Sequence, residues 1–238
     1  MQRVIRIVGL CLVVGFLVAL LVFNATRPVD YTPWEMAMTK GDKETAKHHF
    51  IMYTDIFCPY CDKFSNAVRA HAEDFQKIYI EENNVFFELR VTDVNYTYGH
   101  SNNSRPAGEG AYCAAAQDNF WGYYDALLTK LYDDYHSKGI GVSKDSEHIP
   151  DLPDSYFSDA AEKGGLDVEK FNACMESDEM ISKLDSYTRR AQNALSSGVP
   201  YFVFDKYTMN GFLGQWDAEG YDWEQAKLML DAGLASKQ

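Results

Sequence analysis

Two cysteines separated by two residues dominate the interpretation of this sequence: Cys58-Pro59-Tyr60-Cys61. They follow a short apolar run at residues 50–53 and begin a stretch with helical periodicity. This spacing lets a small disulfide ring close with little backbone movement. A helix N-terminus has unpaired N–H groups and the positive end of the dipole, and both favour a thiolate, so we expect Cys58 to be the reactive cysteine. Pro59 suits the first helical position, where no N–H donor is needed.

The motif allows two other interpretations. A C-x-x-C pair can be half of a zinc site, which normally has four ligands. However, Cys11, Cys113 and Cys174 are isolated, and the adjacent histidines His48-His49 precede the motif on a predicted strand. The second alternative is a purely structural disulfide, although so short a loop gains little stabilisation from chain entropy. We favour redox chemistry, which needs neither a metal ion nor an organic cofactor.

A second motif lies far along the chain, where Gly198-Val199-Pro200 leads into an apolar run at residues 201–205. A proline directly before a strand is unusual, because proline lacks the N–H that a strand donates to its neighbour. The strand–C-x-x-C–helix unit and the later Val-Pro-strand together resemble the thioredoxin fold. The C-P-Y-C sequence and the Gly-Val-Pro segment are similar to those of DsbA-like thiol:disulfide oxidoreductases, and the resemblance covers roughly residues 46–238.

The resemblance implies an α/β thioredoxin-like fold with an inserted helical domain at about residues 105–195. It implies that Cys58 is the exposed nucleophile that forms a mixed disulfide and that Cys61 is the resolving thiol. Pro200 is expected to be cis and to lie beside both sulfur atoms, while Val199 offers backbone groups to a substrate peptide. Pro59 and Tyr60 complete the expected substrate groove.

One position departs from the family pattern. DsbA-like and thioredoxin proteins commonly carry a buried acid six residues before the first cysteine, and this chain has Met52 there. Asp55 stands three residues before Cys58. An acid in that place ordinarily caps a turn, but it is also placed to tune the thiols. The departure puts in doubt any proton-transfer role taken over from the family.

Residues 1–27 are predicted to form a cytoplasmic N-terminus and a transmembrane signal anchor. Arg3 and Arg6 precede 17 uncharged residues at positions 7–23, and about 17 apolar residues is the lower bound for a membrane-spanning helix. Arginines before the span predict that the N-terminus stays in the cytoplasm and that the remaining chain lies outside. A cleaved signal peptide is the alternative, although residues 24–26 make a poor cleavage site.

Residues 28–45 are predicted to be a stalk, and residues 46–238 the DsbA-like domain. The stalk is too short for a separate dimerisation domain. A polar loop is expected at residues 95–104 and a turn at Asn210-Gly211. The residue pattern predicts strands at about 48–53, 85–91, 201–205 and 212–215, and helices at about 59–82 and 222–234. Residues 106 to about 195 are predicted to be helical, with a loop at about 137–153 followed by helices near 155–163, 167–176 and 178–195.

The charge and the number of cysteines limit the kinds of partner and the environment that we expect for this chain. The chain has 35 acidic and 22 basic residues, with a formal net charge of −13. This balance argues against nucleic acid and against anionic lipid surfaces. Cys113 and Cys174 lie on predicted helices of the exported part, and an even number of cysteines there favours a second disulfide between them. Two separate buried thiols are the alternative.

We therefore predict a single-pass protein of the cytoplasmic membrane whose C-terminal domain, outside the cytoplasm, introduces disulfides into exported proteins. Its expected partners are reduced or unfolded exported proteins and a membrane redox partner that resets its disulfide. The short stalk predicts a monomer. A reductase or isomerase on the same fold is one alternative, and a non-catalytic peptide-binding module is another.

Overall fold

The computed structural model describes residue 34 and residues 38–195, 198–205, 207–212 and 222–235, all in one compact unit that spans 32–238. The predicted transmembrane segment, residues 1–27, lies outside the described residues. Within the described ranges, no helix combines the length and the apolar character that crossing a membrane requires.

Among the described residues, a five-stranded mixed sheet forms the centre of the domain. Its strand order is β1-β3-β2-β4-β5, with β2 and β3 parallel and the other neighbours antiparallel. Every residue of β3 is buried, as expected for a strand inside a sheet that is covered on both faces. The strands are β1 (Met38–Lys40), β2 (His48–Thr54), β3 (Val85–Val91), β4 (Tyr201–Phe204) and β5 (Tyr207–Asn210).

The chain between β2 and β3 forms α1 (Pro59–Ala70), α2 (Ala72–Phe75) and a π-helix (Gln76–Glu82). The prediction of one continuous helix over residues 59–82 is therefore wrong. The backbone leaves the helical region at His71, with φ −117° and ψ 40°. The apolar spacing continues across this break, and for that reason the sequence pattern did not reveal it.

A helical insertion separates β3 from β4, as the resemblance implied. Buried aromatic and aliphatic side chains, including Tyr123, Leu127 and Phe171, form its core. Its helices are α3 (Val94–Thr97), α4 (Ser104–Ala115), α5 (Phe120–Asp134), a 3-10 helix (His136–Lys138), α6 (Asp154–Lys163), α7 (Val168–Met175) and α8 (Asp178–Ala194). After β5, the last described helix is α9 (Trp223–Ala235).

The predicted second disulfide is present in the structure. Cys113 on α4 and Cys174 on α7 are bonded, with their Cα atoms 5.8 Å apart. Cys113 is fully buried. The bond links two helices of the insertion that are far apart along the chain.

Three short elements differ from the sequence-based prediction. β1 lies inside the predicted stalk, and α3 overlaps the start of the predicted polar loop at residues 95–104. The strand expected at 212–215 is not found at Phe212, and residues 213–215 lie outside the described residues. Instead β5 pairs with β4 before the turn. Elements of three or four residues are too short to show periodicity. For β1 and β5, pairing with a neighbouring strand determines whether the strand forms.

Part of the predicted stalk belongs to the domain. Trp34 is buried, and its ring stacks on Tyr187 of α8 at 4.4 Å between centroids. The guanidinium of Arg90 in β3 lies 5.2 Å from the Trp34 ring centroid. Arg90 is itself buried and donates hydrogen bonds to Glu88 and Tyr53, both at 2.7 Å. Charged side chains are tolerated in this strand because they satisfy one another.

Candidate active site

The C-x-x-C motif lies at the N-terminus of α1, where the sheet delivers the chain into the helix. Cys58 is the N-cap residue, with φ −93° and ψ 116°, and Pro59 occupies the first turn. The N–H of Cys58 donates to the carbonyl of Asp55 at 3.0 Å, and the N–H of Asp62 donates to the carbonyl of Cys58 at 3.0 Å. Both Cys58 and Cys61 are free thiols here. The local sequence thus places the first cysteine where a helix dipole favours its thiolate.

The prediction that Cys58 is exposed is wrong for this structure. Cys58 has 6% of its surface exposed and Cys61 has 1%. The protein covers the pair from the side of the insertion and from the loop before β4. Cys58 is still the more accessible of the two, so the order of nucleophile and resolving thiol is unchanged.

The loop before β4 meets the motif. The Val199–Pro200 peptide bond is cis, as expected. The thiol of Cys58 donates a hydrogen bond to the carbonyl oxygen of Val199, with 3.5 Å between sulfur and oxygen. The Pro200 carbonyl accepts the N–H of Gly211 at 2.8 Å, which fixes the loop to the end of β5. Two motifs that are 141 residues apart therefore form one site.

Burial disfavours ionisation of the second cysteine of the motif. It raises the pKa of the Cys61 thiol well above its usual value, and the neighbouring Cys58 adds to this effect. A buried thiolate lacks solvation by water, whereas a thiolate at the helix end is stabilised by the dipole. Cys61 is accordingly a thiol unless its proton is removed during the reaction.

Asp55 is a fully buried acid beside the motif. Its carboxylate accepts the N–H of Phe57 and the N–H of Asn95, both at 2.9 Å. Burial raises the pKa of Asp55 to about 7, although these hydrogen bonds act in the opposite direction. Met52, at the family's usual acid position, is also buried and lines an apolar cavity of about 120 Å³ with Phe64 and other side chains. The buried carboxyl group beside the motif is therefore that of Asp55, three residues before Cys58, and not one at position 52.

An open groove of about 740 Å³ lies in front of Cys58. Its floor comes from the thioredoxin part and its far wall from the insertion. Tyr98 on the rim has 60% of its surface exposed. The lining includes Phe57, Cys58, Pro59, Tyr60, Asp62, Tyr98, His136, Ile149, Leu195 and Val199. The predicted groove residues Pro59, Tyr60 and Val199 are thus in place, and Pro200 supports the loop that carries Val199.

Sequence reasoning missed two groove residues, Asp62 and His136. They are 3.0 Å apart, between His136 Nδ1 and an Asp62 carboxylate oxygen. Asp62 follows directly after Cys61 in the sequence, and that position was the one available signal. His136 lies at the end of a predicted helical stretch and belongs to no motif, so only the fold brings it to the active-site helix.

A sequence model of the DSBA-like thioredoxin domain family matches residues 50–220. This match covers most of the chain and both motifs. The chain belongs to the DSBA-like thioredoxin domain family. Membership of this family supports a thiol-disulfide oxidoreductase. Among curated proteins, a sequence search gives no significant match.

Solved structures support the DsbA-like fold. BdbD from Bacillus subtilis, in its oxidised form, superposes with a TM-score of 0.60 at 17% identity, covering 84% of this chain and 94% of BdbD. A variant of alpha-DsbA1 from Wolbachia pipientis gives 0.59 at 16% identity, covering 87% and 94%. A thioredoxin-like oxidoreductase from Silicibacter pomeroyi gives 0.57 at 19% identity, covering 86% and 95%. At these identities the likeness establishes the fold alone.

No group of three or more His, Cys, Asp or Glu side chains that could hold a metal ion occurs among the described residues. In this DsbA-like domain, the chemistry that the site itself supports is exchange between thiols and disulfides, with Cys58 facing the groove.

Proposed function

We propose that this DsbA-like protein introduces disulfides into exported proteins outside the cytoplasm. The observation that carries the proposal is the contact between the Cys58 thiol and the Val199 carbonyl, at the floor of an open groove. A client chain lying along this loop would have its own cysteine next to the only sulfur of the pair that lines the groove. The cavity lining includes Cys58 and does not include Cys61.

The reaction begins with Cys58 and Cys61 joined in a disulfide. A client thiolate attacks the sulfur of Cys58 in line, a mixed disulfide forms, and the bond to Cys61 breaks with its electron pair on Cys61. Because burial raises the pKa of Cys61, this sulfur takes up a proton. A second client thiol loses its proton and attacks the client sulfur of the mixed disulfide, and Cys58 leaves as a thiolate. The client loses two electrons and the cysteine pair gains them.

Oxidation is the direction we propose. A reduced pair with a stabilised Cys58 thiolate is favoured over its disulfide, and a disulfide of that kind is a strong oxidant. The Cys113–Cys174 disulfide gives independent support for an oxidising compartment, because such bonds rarely persist in the cytosol. Members of this family act on substrate proteins and are reoxidised by a membrane partner. We propose the same two partners here.

We further propose that residues 1–27 anchor the protein in the cytoplasmic membrane with its domain outside. The uncharged run at residues 7–23 and the arginines before it support this topology. The stalk at residues 28–45 is short. Within it, Trp34 stacks on Tyr187 of the domain and residues 38–40 pair with β3. A monomer is therefore proposed. Recovery in the membrane fraction, with the domain digestible by protease from outside, is the expected result; release into the soluble fraction would contradict the anchor.

Trapping experiments test the exchange chemistry. With Cys61→Ala, Cys58 is first converted to a mixed disulfide with glutathione. A client thiolate should then displace glutathione from Cys58, and the new mixed disulfide with the client should accumulate because no resolving thiol is present to release it. With Cys58→Ala, both client oxidation and trapping should disappear. Full activity of the Cys58→Ala protein would instead indicate a non-catalytic peptide-binding module.

The reduction potential tests the direction. Equilibration of the pair with glutathione should give a value nearer to about −120 mV, that of a strong oxidant, than to about −270 mV, that of thioredoxin. The oxidised protein should also generate disulfides in a reduced, unfolded client. A potential near the thioredoxin value together with rapid insulin reduction would identify a reductase. Reshuffling of a scrambled client without net oxidation would identify an isomerase.

A further inference from the structure

Asp62 and His136 form a buried acid–imidazole pair between the active-site helix and the insertion. Asp62 has 2% of its surface exposed and His136 has 7%. His136 Nδ1 lies 3.0 Å from an Asp62 carboxylate oxygen. Neither oxygen of Asp62 accepts a well-aligned hydrogen bond from the described residues. Among the described residues, His136 thus provides the close ion-pairing contact of this carboxylate.

The pair lies directly behind the nucleophile. Asp62 follows Cys58 by four residues, and its N–H bonds to the Cys58 carbonyl. Side chains four residues apart lie on the same face of a helix, with their Cβ atoms about 6 Å apart. Cys58, Asp62 and His136 all line the same groove. A change in the charge of the pair is therefore expected to act on the Cys58 sulfur, which lines the same groove.

The other charged group that acts on Asp62 is Arg69, which has hydrogen-bond partners of its own. Arg69 lowers the pKa of Asp62, but its guanidinium donates to Asn66 at 2.8 Å and to Thr129 at 2.7 Å. The phenols of Tyr124 and Tyr156 sense the charge of Asp62. Burial raises the pKa of Asp62 above its ordinary value, and His136 offsets part of this effect. The remaining titratable groups that line the groove are Tyr60, Tyr98, His100, Lys144, Glu147 and His148.

We infer that Asp62 and His136 are positioning residues that set the reactivity of Cys58, with the imidazole of the insertion paired with the carboxylate that lies one helical turn behind the nucleophile. This inference rests on the proposed role of Cys58 in disulfide exchange. A carboxylate alone would oppose the Cys58 thiolate by like-charge repulsion, and an imidazolium alone would favour it. The helical insertion thereby takes part in the redox chemistry and is more than a cover for the site.

Three variants of the full-length protein test the inference, and the two single variants should shift the reactivity of Cys58 in opposite directions. The readout is the pH midpoint of Cys58 alkylation by iodoacetamide, mapped to Cys58 by mass spectrometry. His136→Gln leaves the carboxylate alone and should move the midpoint upward by about one pH unit. Asp62→Asn removes the carboxylate, and with it the like-charge repulsion, and should move the midpoint downward. The double variant should return close to the wild-type midpoint, because both members of the pair are gone.

The equilibrium with glutathione gives a second measurement. A thiolate disfavoured tenfold in His136→Gln should lower the equilibrium constant by up to about tenfold, equivalent to about 30 mV. His71→Gln is the matched control, since His71 pairs with Asp74 at 3.6 Å at the exposed, distant end of the same helix. It should change neither the midpoint nor the equilibrium constant.

Shifts of the same sign in both single variants, or a double variant that stays shifted, would overturn the inference. Loss of packing does not depend on which charge is removed, so it would not shift the midpoint in opposite directions. If His136→Gln does not fold, Asp62→Asn alone tests the inference: a downward shift supports it, and no shift or an upward shift refutes it. The alkylation readout needs no client protein, so it is separate from the test of function. A wild-type protein that exchanges disulfides while its variants show no shift would refute this inference alone.

Discussion

Replacement of Asp55 by asparagine should remove a large pH dependence from the stability of the folded domain. Burial raises the pKa of Asp55 from its ordinary value of 3.8 to about 7. Between these two values the folded state holds a proton that the unfolded state has released. The contribution of Asp55 to stability is therefore fully present at low pH and is lost as the pH rises through about 7.

The magnitude follows from these two pKa values. Each pKa unit corresponds to about 1.4 kcal/mol, so the full effect across both titrations is about 4 kcal/mol. Between about pH 5 and about pH 8, the free energy of unfolding of the wild type should fall by about 2.5 kcal/mol through Asp55 alone. The side chain is fully buried, so solvent screening does not reduce this value as it would at the surface.

Urea unfolding of the oxidised protein at the two pH values provides the assay. Asp55→Asn turns one hydrogen-bond acceptor into a donor facing a backbone N–H, which costs about 1–3 kcal/mol at every pH. For this reason the informative quantity is the pH dependence and not the stability at one pH. Glu162→Gln, at an exposed position of α6, is the control and should follow the wild type. Parallel curves for wild type and Asp55→Asn would refute a raised pKa at this carboxyl.

Two further predictions concern the insertion. Removal of the second disulfide in Cys113→Ala/Cys174→Ala opens a loop between residues separated by 61 positions, and the chain-entropy model gives a loss of about 4 kcal/mol; an unchanged urea midpoint would contradict it. Gly110→Ala would place a Cβ against the phenol of Tyr123 and 3.0 Å from the ring of Phe171, so overpacking should cost about 1–3 kcal/mol, and an unchanged melting temperature would show that the core yields there.

Local sequence was sufficient for the central unit of the fold. The apolar run before Cys58 and the proline after it specify a strand that enters a helix, because neighbouring residues alone set these preferences. The long helices of the insertion also follow from their periodicity. The Val-Pro pair before the last long apolar run suggested the cis loop through its resemblance to the family. These features were enough to predict the thioredoxin-like fold and both redox cysteines.

Tertiary structure decided which distant side chains share the site. Val199 reaches Cys58 across 141 residues, and His136 reaches Asp62 on the active-site helix. No local pattern encodes such contacts, because they depend on how whole elements pack once long loops have closed. The burial of Cys58, the raised pKa of Asp55 and the pairing of β1 with β3 have the same origin. The sequence by itself was enough to identify the two cysteines proposed for the chemistry. Packing across the sheet and the insertion determined which charges surround them and how far they are buried.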